Sequence, residues 1–183
     1  MMNGLPPELE LMPRDEILIG PPHPAIRMDD DPILRTTSTE VQPEDFPEVV
    51  KLVAVMRQVA GDTNARGLAA IQLGIPLRVL IARDGAQYRA FINPTLDRTL
   101  NRTTVEREGC LSVPGSKWGD VERPAKCDAS WTDEDGERHS ATLTADLARI
   151  FQHEFDHLNG VLMTDRRREQ GRGYRLPSIV LLP

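Results

Sequence analysis

Residues 149–162 read RIFQHEFDHLNGVL, and the stretch from about Ala145 to Asn159, stopped near Gly160, has the spacing of a helix that must be covered along one side. With successive residues about 100° apart, Leu147, Ile150, Phe151, Leu158 and Val161 make one apolar stripe. Glu154 falls near its middle, while His153 and His157 share one edge, about 40° apart by the same geometry. Two imidazoles one turn apart aim at a common point, which is what a pair of metal ligands needs. An ionised, unpaired carboxylate within the stripe would be costly. Facing a water activated by a metal, Glu154 makes sense, because desolvation favours its protonated form and suits a group that takes and returns a proton. Asp156 lies off the stripe and reads as a supporting or solvated group, not a ligand. A bare H-E-x-x-H recurs by chance, so a surface helix with incidental histidines is the plain alternative.

A metal held by two histidines needs a third protein ligand. Zinc peptidases with this motif recruit one downstream, but position 163 is Met163, and the only later glutamate is Glu169 in an Arg-rich stretch. His23, in a Pro-rich segment, and His139, in a strand, read as surface or structural residues. The remaining candidate is Cys110 in REGCLSVPG (107–115), where a strand-like LSVP follows the cysteine. A Cys/His/His set leaves one position for water, as a catalytic site requires. The competing reading of Cys110 is a small buried hydrophobe. Cys127 keeps that reading, since KCDASWT alternates and puts Cys127, Ala129 and Trp131 on one face.

The rest of the chain supplies the frame. Of 183 residues, 39% are hydrophobic and 27% charged, the balance of a folded domain with a sizeable core. Aromatics are only 4%, so Leu, Ile, Val and Ala must carry that core. A net charge of −6 argues against general nucleic-acid binding, DNA included. No apolar run is long enough to span a bilayer. The opening residues show no basic segment followed by an apolar one, and two cysteines make no disulfide framework, so a cytoplasmic location is expected. PEDFPEVVKLVAVMRQVAG spaces Val49, Leu52, Val53, Met56 and Val59 as an amphipathic helix stopped at Gly61. NARGLAAIQLGIP reads as a loop. LRVLIARDGAQYRAFINP reads as a hairpin with Asp84-Gly85 as its turn, and DEDG joins KCDASWT to a returning strand, ERHSATLTA. The predicted fold is α+β: antiparallel or mixed sheets packed around a central C-terminal helix that carries the H-E-x-x-H motif. Residues 1–30 are expected to be a partly mobile N-terminal extension, 31–165 the catalytic domain, and 166–183 an Arg-rich tail with SIVLLP as a possible final strand.

Three segments together resemble the peptide deformylase family: ARGLAAIQ (65–72), EGCLS (108–112) and QHEFDH (152–157), in that order. DPILR and FINP are similar too, so the likeness runs from about residue 31 to 165. The resemblance implies a metal-dependent hydrolase that removes the formyl group from the N-terminal methionine of new chains and releases formate. It implies that Cys110, His153 and His157 bind one divalent metal ion and that Glu154 is the general acid and base. Iron(II) is the family's usual cellular metal, with zinc, nickel or cobalt also accepted, a range these soft and imidazole ligands suit. By the same resemblance Gln72 and the backbone N–H of Leu111 donate to the oxyanion. Gly67 and Gly109 flank a groove in which substrate main chain adds as a strand. Ile150 helps wall a pocket for the methionine side chain. Glu108 and Arg123, in VERP, are expected to pair beneath the site.

The chain departs from the family pattern at three places. Ala65 stands where the loop's first glycine is usual, with Arg66 after it, and alanine would be strained if that position needed a positive φ. Asp146 replaces an apolar residue near the start of the last helix and is expected to cap it or complement its dipole. The five tail arginines, Arg166, Arg167, Arg168, Arg172 and Arg175, are suited to transient contact with ribosomal RNA, against a default reading of a solvated tail. Two other classes compete with a deformylase: a relative that binds such peptides without turnover, and a zinc endopeptidase. Intact Gln72, Cys110 and Glu154 speak against the first, and the missing downstream ligand against the second.

Overall fold

The computed structural model describes residues 23–100 and 102–167; residues 1–22 and 168–183, which hold most of the expected extension and tail, lie outside it. In chain order the main elements are α1 (Phe46–Asp62), β1 (Gly67–Ala69), β2 (Val79–Asp84), β3 (Gln87–Thr99), β4 (Thr103–Glu108), β5 (Gly119–Pro124), β6 (Lys126–Thr132), β7 (Arg138–Thr144), α2 (Ala145–His157) and the single turn α3 (Met163–Arg166). One sheet has the order β1-β2-β3-β6-β7, and β4 and β5 form a separate two-stranded sheet. Every ladder is antiparallel. The α+β architecture with its central helix is as expected.

The larger sheet is covered on both faces. Leu80, Ala82 and Phe91 point to the α2 side, where they join Phe151, Leu158, Trp131 and Leu143. Val79, Ile81, Ala90 and Ile92 point to the α1 side, against Val49, Val53 and Met56. Burial on both faces explains why β2 begins as an unbroken apolar run, VLIA, rather than an alternation. The few aromatics are concentrated where α2 meets the sheet. Phe91 lies 4.9 Å from Trp131 and 5.1 Å from Phe151, tilted against each. Such pairs add about 0.5–1.5 kcal/mol beyond their buried area.

The small sheet closes over the other side of α2, so that helix is buried almost all round, including Arg149, Gln152, His153, Glu154, Asp156 and His157. Val161, placed on the stripe by its spacing, lies beyond the helix end and is half-buried. The chain leaves the helix through Gly160 at φ +71°, where a Cβ would lie 2.6 Å from the Arg35 carbonyl oxygen. Both the handedness of the turn and the passing backbone therefore require glycine.

Several local expectations are corrected. The first hairpin turns on Gly85 and Ala86, because Asp84 is still paired with Gln87. The NARGLAAIQ segment is not simply a loop: Gly67–Ala69 pairs with Leu80–Ala82 as an edge strand, followed by a 3-10 turn over Ala70–Leu73. LSVP is not a strand; the Val113 N–H bonds the Cys110 carbonyl and closes a tight turn, and Pro114 has no N–H to extend a ladder. Ala65 does not sit at positive φ, and Asn64 takes the left-handed position instead, so the alanine is unstrained. Residues 23–30 are laid on the body: Ile26 is buried, the Arg27 N–H bonds the Gln72 carbonyl, and Asp29 pairs with Lys117.

Candidate active site

The site lies where α2 passes between the two sheets. α2 delivers His153, Glu154 and His157, and the turn after β4 delivers Cys110. The ligand atoms of Cys110, His153 and His157 lie within 4.8 Å of one another, and Sγ of Cys110 is 3.3 Å from Nε2 of His157. Helix spacing alone brings the histidines together; the β4–β5 sheet brings the sulfur. The other candidates stay apart. Nδ1 of His23 takes the Ala25 N–H nearby, and His139 pairs with Asp133 at 2.6 Å while stacking on Trp131 at the tip of the β6–β7 hairpin.

The donor set fits a metal ion on three grounds. A sulfur and two imidazoles are ligands for iron(II), zinc, nickel or cobalt. His153 is held through Nδ1 by Glu108 at 2.9 Å, which leaves Nε2 for the side of Cys110, the usual arrangement of a ligating histidine. Among the described residues, Oε2 of Glu154 and Nδ1 of His157 are buried without a hydrogen-bond partner. Buried polar atoms are seldom left so; Glu154 directly follows His153 on α2, whereas Nδ1 of His157 lies on the side of the ring away from Cys110. Burial alone would lower the pKa of His153, yet hydrogen bonds to Cys110 and Glu108 and the Glu154 charge raise it well above the ordinary histidine value. His157 is pushed well below by burial and by the charges of His153, Arg123 and Arg35.

Glu154 lies under the edge strand: a Cβ on Gly67 would come 2.6 Å from its Oε1 and 2.6 Å from Cγ2 of Ile150. Glycine at 67 is therefore a condition for the strand and helix to approach this closely. Burial drives the carboxyl of Glu154 up to about 7, against the lowering charges of His153 and Arg123. A carboxyl shifted in this way is suited to exchanging protons near neutral pH.

Gln72 sits in the 3-10 turn after β1. Its Oε1 accepts from the Ala69 N–H at 2.9 Å, which turns its amide NH2 toward Ser112 Oγ at 3.1 Å and Cys110 Sγ at 3.5 Å. Leu111 follows the cysteine, half-buried in the tight turn. Gly109 precedes it, and a Cβ there would meet the Trp118 ring at 2.9 Å.

Beneath the ligands lies a polar core whose extent only the tertiary structure reveals. Glu108 accepts from Arg123 at 2.6 and 2.9 Å, from Arg149 at 2.6 Å and from His153. Arg123 also reaches Asp156 at 2.8 Å, and Asp156 is paired in turn with Arg166 at 2.5 Å. Burial would raise the Glu108 pKa, but its bonds to His153 and Arg123 outweigh that and hold it well below the carboxylate range. Arg123 is raised despite burial, by Glu108 and Asp156. The expected Glu108–Arg123 pair is present, and Asp156 is a supporting group, not a solvated one. Arg149 joins this core without a motif to mark it; an arginine within an apolar-periodic helix is its signal in the sequence. Asp146 caps no backbone N–H with its side chain, though it sits in the first turn of α2; it pairs with Arg66 at 2.8 Å.

Comparison with known proteins agrees with this geometry. The family model for polypeptide deformylase matches residues 24–173. The peptide deformylase of Rhizorhabdus wittichii is 43% identical over 145 residues, covering 74% of this chain and 81% of its own. The crystal structure of peptide deformylase from Thermotoga maritima superposes with a TM-score of 0.75 at 36% identity, over 79% of this chain and 97% of that one. A Met-Ala-Ser-bound class I type b peptide deformylase from Acinetobacter baumannii superposes with a TM-score of 0.73 at 28% identity, over 77% and 96%. On the match of its sequence along most of its length and of its fold to solved members, the chain belongs to the polypeptide deformylase family.

Proposed function

We propose that Cys110, His153 and His157 hold one divalent metal ion, that Glu154 moves the proton, and that Gln72 and the Leu111 N–H stabilise the developing oxyanion. The family reaction frames these roles: a metal-dependent hydrolase removes the N-formyl group from the N-terminal methionine of nascent polypeptides and releases formate. A divalent ion at this ligand set supplies Lewis acidity, which makes water a nucleophile near neutral pH. Glu154 accepts a proton from that water as its oxygen attacks the formyl carbon. The carbonyl oxygen gains negative charge, and two donors already held in place stabilise it without reorganising. Gln72 is preset for this, because the Ala69 N–H anchors the other end of its amide. Glu154 then returns the proton to the departing amine as the C–N bond breaks, leaving formate and a free N-terminus. A carboxyl poised at about 7 serves both transfers.

Substrate main chain adds along the free edge of β1 beside Gly67, with Gly109 across the groove and Ile150 walling the methionine pocket. In support, β1 is the outer strand of its sheet. Iron(II) is the metal we assign in the cell, with zinc, nickel and cobalt as replacements. We place the enzyme in the cytoplasm. Both described cysteines are free, and among the described residues no helix is long and apolar enough to cross a membrane. We read residues 31–165 as the catalytic domain. Residues 23–30 and 166–167 are tied to it, Arg166 by Asp156 and Arg167 by the Lys117 carbonyl. The C-terminal arginines, of which Arg168, Arg172 and Arg175 lie outside the described residues, are the ones we assign to transient contact with ribosomal RNA. Changing these three to glutamate should slow deformylation on ribosome–nascent-chain complexes but not on free peptides.

The observation that carries the reading is the convergence of a sulfur and two imidazoles beside a buried carboxyl whose Oε2 has no partner. Its test is formate release from formyl-Met-Ala-Ser by anaerobically prepared protein, beside Glu154→Ala with its metal content measured. Turnover lost with metal retained supports the assignment. Peptide binding without formate, or cleavage of internal peptide bonds, refutes it.

A further inference from the structure

On the α1 side of the larger sheet, Val49 and Leu52 of the helix, with Ile75 and Leu77 of the segment leading into β2, line an open groove of about 340 Å³. All four belong to the apolar core on that side, yet Leu52, Ile75 and Leu77 are only partly buried in it. A cavity of this size would suit a small ligand, but such sites place a few polar groups at convergent positions. Here the polar lining is two rim carboxylates, Asp45 and Glu48, and Glu48 is already paired with Lys51 at 2.7 Å. The groove is fitted to apolar side chains.

The chain itself arrives beside it. Ile26 is buried in the same core, and the Arg27 N–H bonds the Gln72 carbonyl at 2.8 Å. The Arg27 side chain lies over Gly74, the neighbour of Ile75; a Cβ on that glycine would meet its Nε at 2.9 Å. Ahead of this point the sequence reads EILIGPPHP (16–24), and Ile17, Leu18 and Ile19 are the longest apolar run of residues 1–22. That run precedes residue 24, where the match to the family model begins, so it is particular to this chain. At about 3.1 Å per residue, a proline-rich extended chain carries Ile19 as far as roughly 22 Å from Ile26. A helix with its side chains is about 10–12 Å across, so this reach spans the groove.

We propose that Ile17 and Ile19 of this chain's own N-terminal segment occupy the groove formed by Val49, Leu52, Ile75 and Leu77. In an extended chain, residues two apart point the same way, about 6.6–6.8 Å from each other. Both isoleucines therefore enter the groove while Leu18 faces outward, and β-branched side chains favour that extended form. The docked segment presses on residues 75–77 from outside and so braces the stretch that follows Gln72. The proposal stands apart from the catalytic roles, and its test needs no turnover.

The test joins Ile19→Cys to Leu52→Cys in the full chain, beside Ile19→Cys with Val105→Cys, whose second position is exposed on the small sheet. Cys110 and Cys127 are buried and do not compete. Mild oxidation should link 19 to 52 within one chain, in at least tenfold greater yield than 19 to 105, as read by non-reducing peptide mapping. A second measurement leaves the groove intact. Ile17→Asp/Ile19→Asp alters no residue of the folded body, yet should lower the thermal midpoint by roughly 4–8 °C. Hydrogen exchange in the same variant should quicken at least threefold over residues 45–52 and 73–77 and stay unchanged over 126–132. Comparable yields of the two disulfides, or an unchanged midpoint and exchange in the aspartate variant, would overturn the proposal. A 19–52 link found between chains, with a dimer in sedimentation, would seat a second copy in the groove and overturn it likewise.

Discussion

Replacing Glu108 with glutamine tests how far the buried ion network governs the metal centre. The side chains are nearly isosteric, so the change removes a charge and leaves the volume. In the protein one carboxylate satisfies four hydrogen bonds, two from Arg123, one from Arg149 and one from His153. Arg123 and Arg149 are 3% and 6% exposed, so water cannot take its place. Breaking a buried pair by removing one partner costs about 3–5 kcal/mol. Arg123 keeps Asp156 and Arg149 keeps the Thr104 contacts, which points to the lower end, about 3 kcal/mol. Measured against a total stability of about 5–15 kcal/mol, that is a large fraction. The same carboxylate fixes His153 through Nδ1, and loss of such a partner typically lowers metal affinity 10–100-fold. Urea unfolding followed by tryptophan fluorescence gives the first quantity, and competition with a chelator gives the second. Glu108→Gln/Arg123→Met should lose less than the sum of the single variants, because the second change removes the stranded charge. If Glu108→Gln unfolded within 1 kcal/mol of wild type and held metal within threefold, the network would be ornament and the argument wrong.

Three further outcomes follow. Gly67→Ala places a methyl where 2.6 Å separates it from Glu154 and Ile150, so kcat/KM should fall at least tenfold while the far-ultraviolet spectrum is kept; wild-type activity would mean the strand yields freely. Burial, aided by the charge of Asp128, pushes the Cys127 thiol up from 9.0 to about 11. The folded protein therefore holds a proton that the unfolded chain releases, so this stability is present below about pH 9 and lost as pH rises toward 11. In Cys127→Ala that part of the alkaline loss should be absent, as read by unfolding midpoints at pH 8 and 10.5. Stripping the metal with a chelator should lower the thermal midpoint, since an ion at a thousand times its dissociation constant adds about 4 kcal/mol; in Cys110→Ala, calorimetric scans with and without the chelator should nearly coincide.

The amino-acid sequence by itself determined the parts that depend on near neighbours. A four-residue spacing aims His153 and His157 together on any helix. Alternation gave KCDASWT its inward face, and a turn signal near Gly85 marked the first hairpin. Glu154 could be picked out because it interrupts an apolar stripe.

What the tertiary structure decided is everything whose partners are distant in sequence. Thr103–Glu108 and Gly119–Pro124 escaped pattern reading because they cover α2 with ions and have little apolar alternation; Val105, the apolar residue in TTVERE, faces solvent. Charged residues in a sequence look solvated until the opposite charges that bury them are in place. Asp156, Arg149 and Arg123 became a polar core in this way, and Asp146 became the partner of Arg66 and not a cap. Hydrophobic periodicity reports which way a side chain points along its own element. Which ion it meets there depends on how the elements pack, and packing is a property of the whole chain.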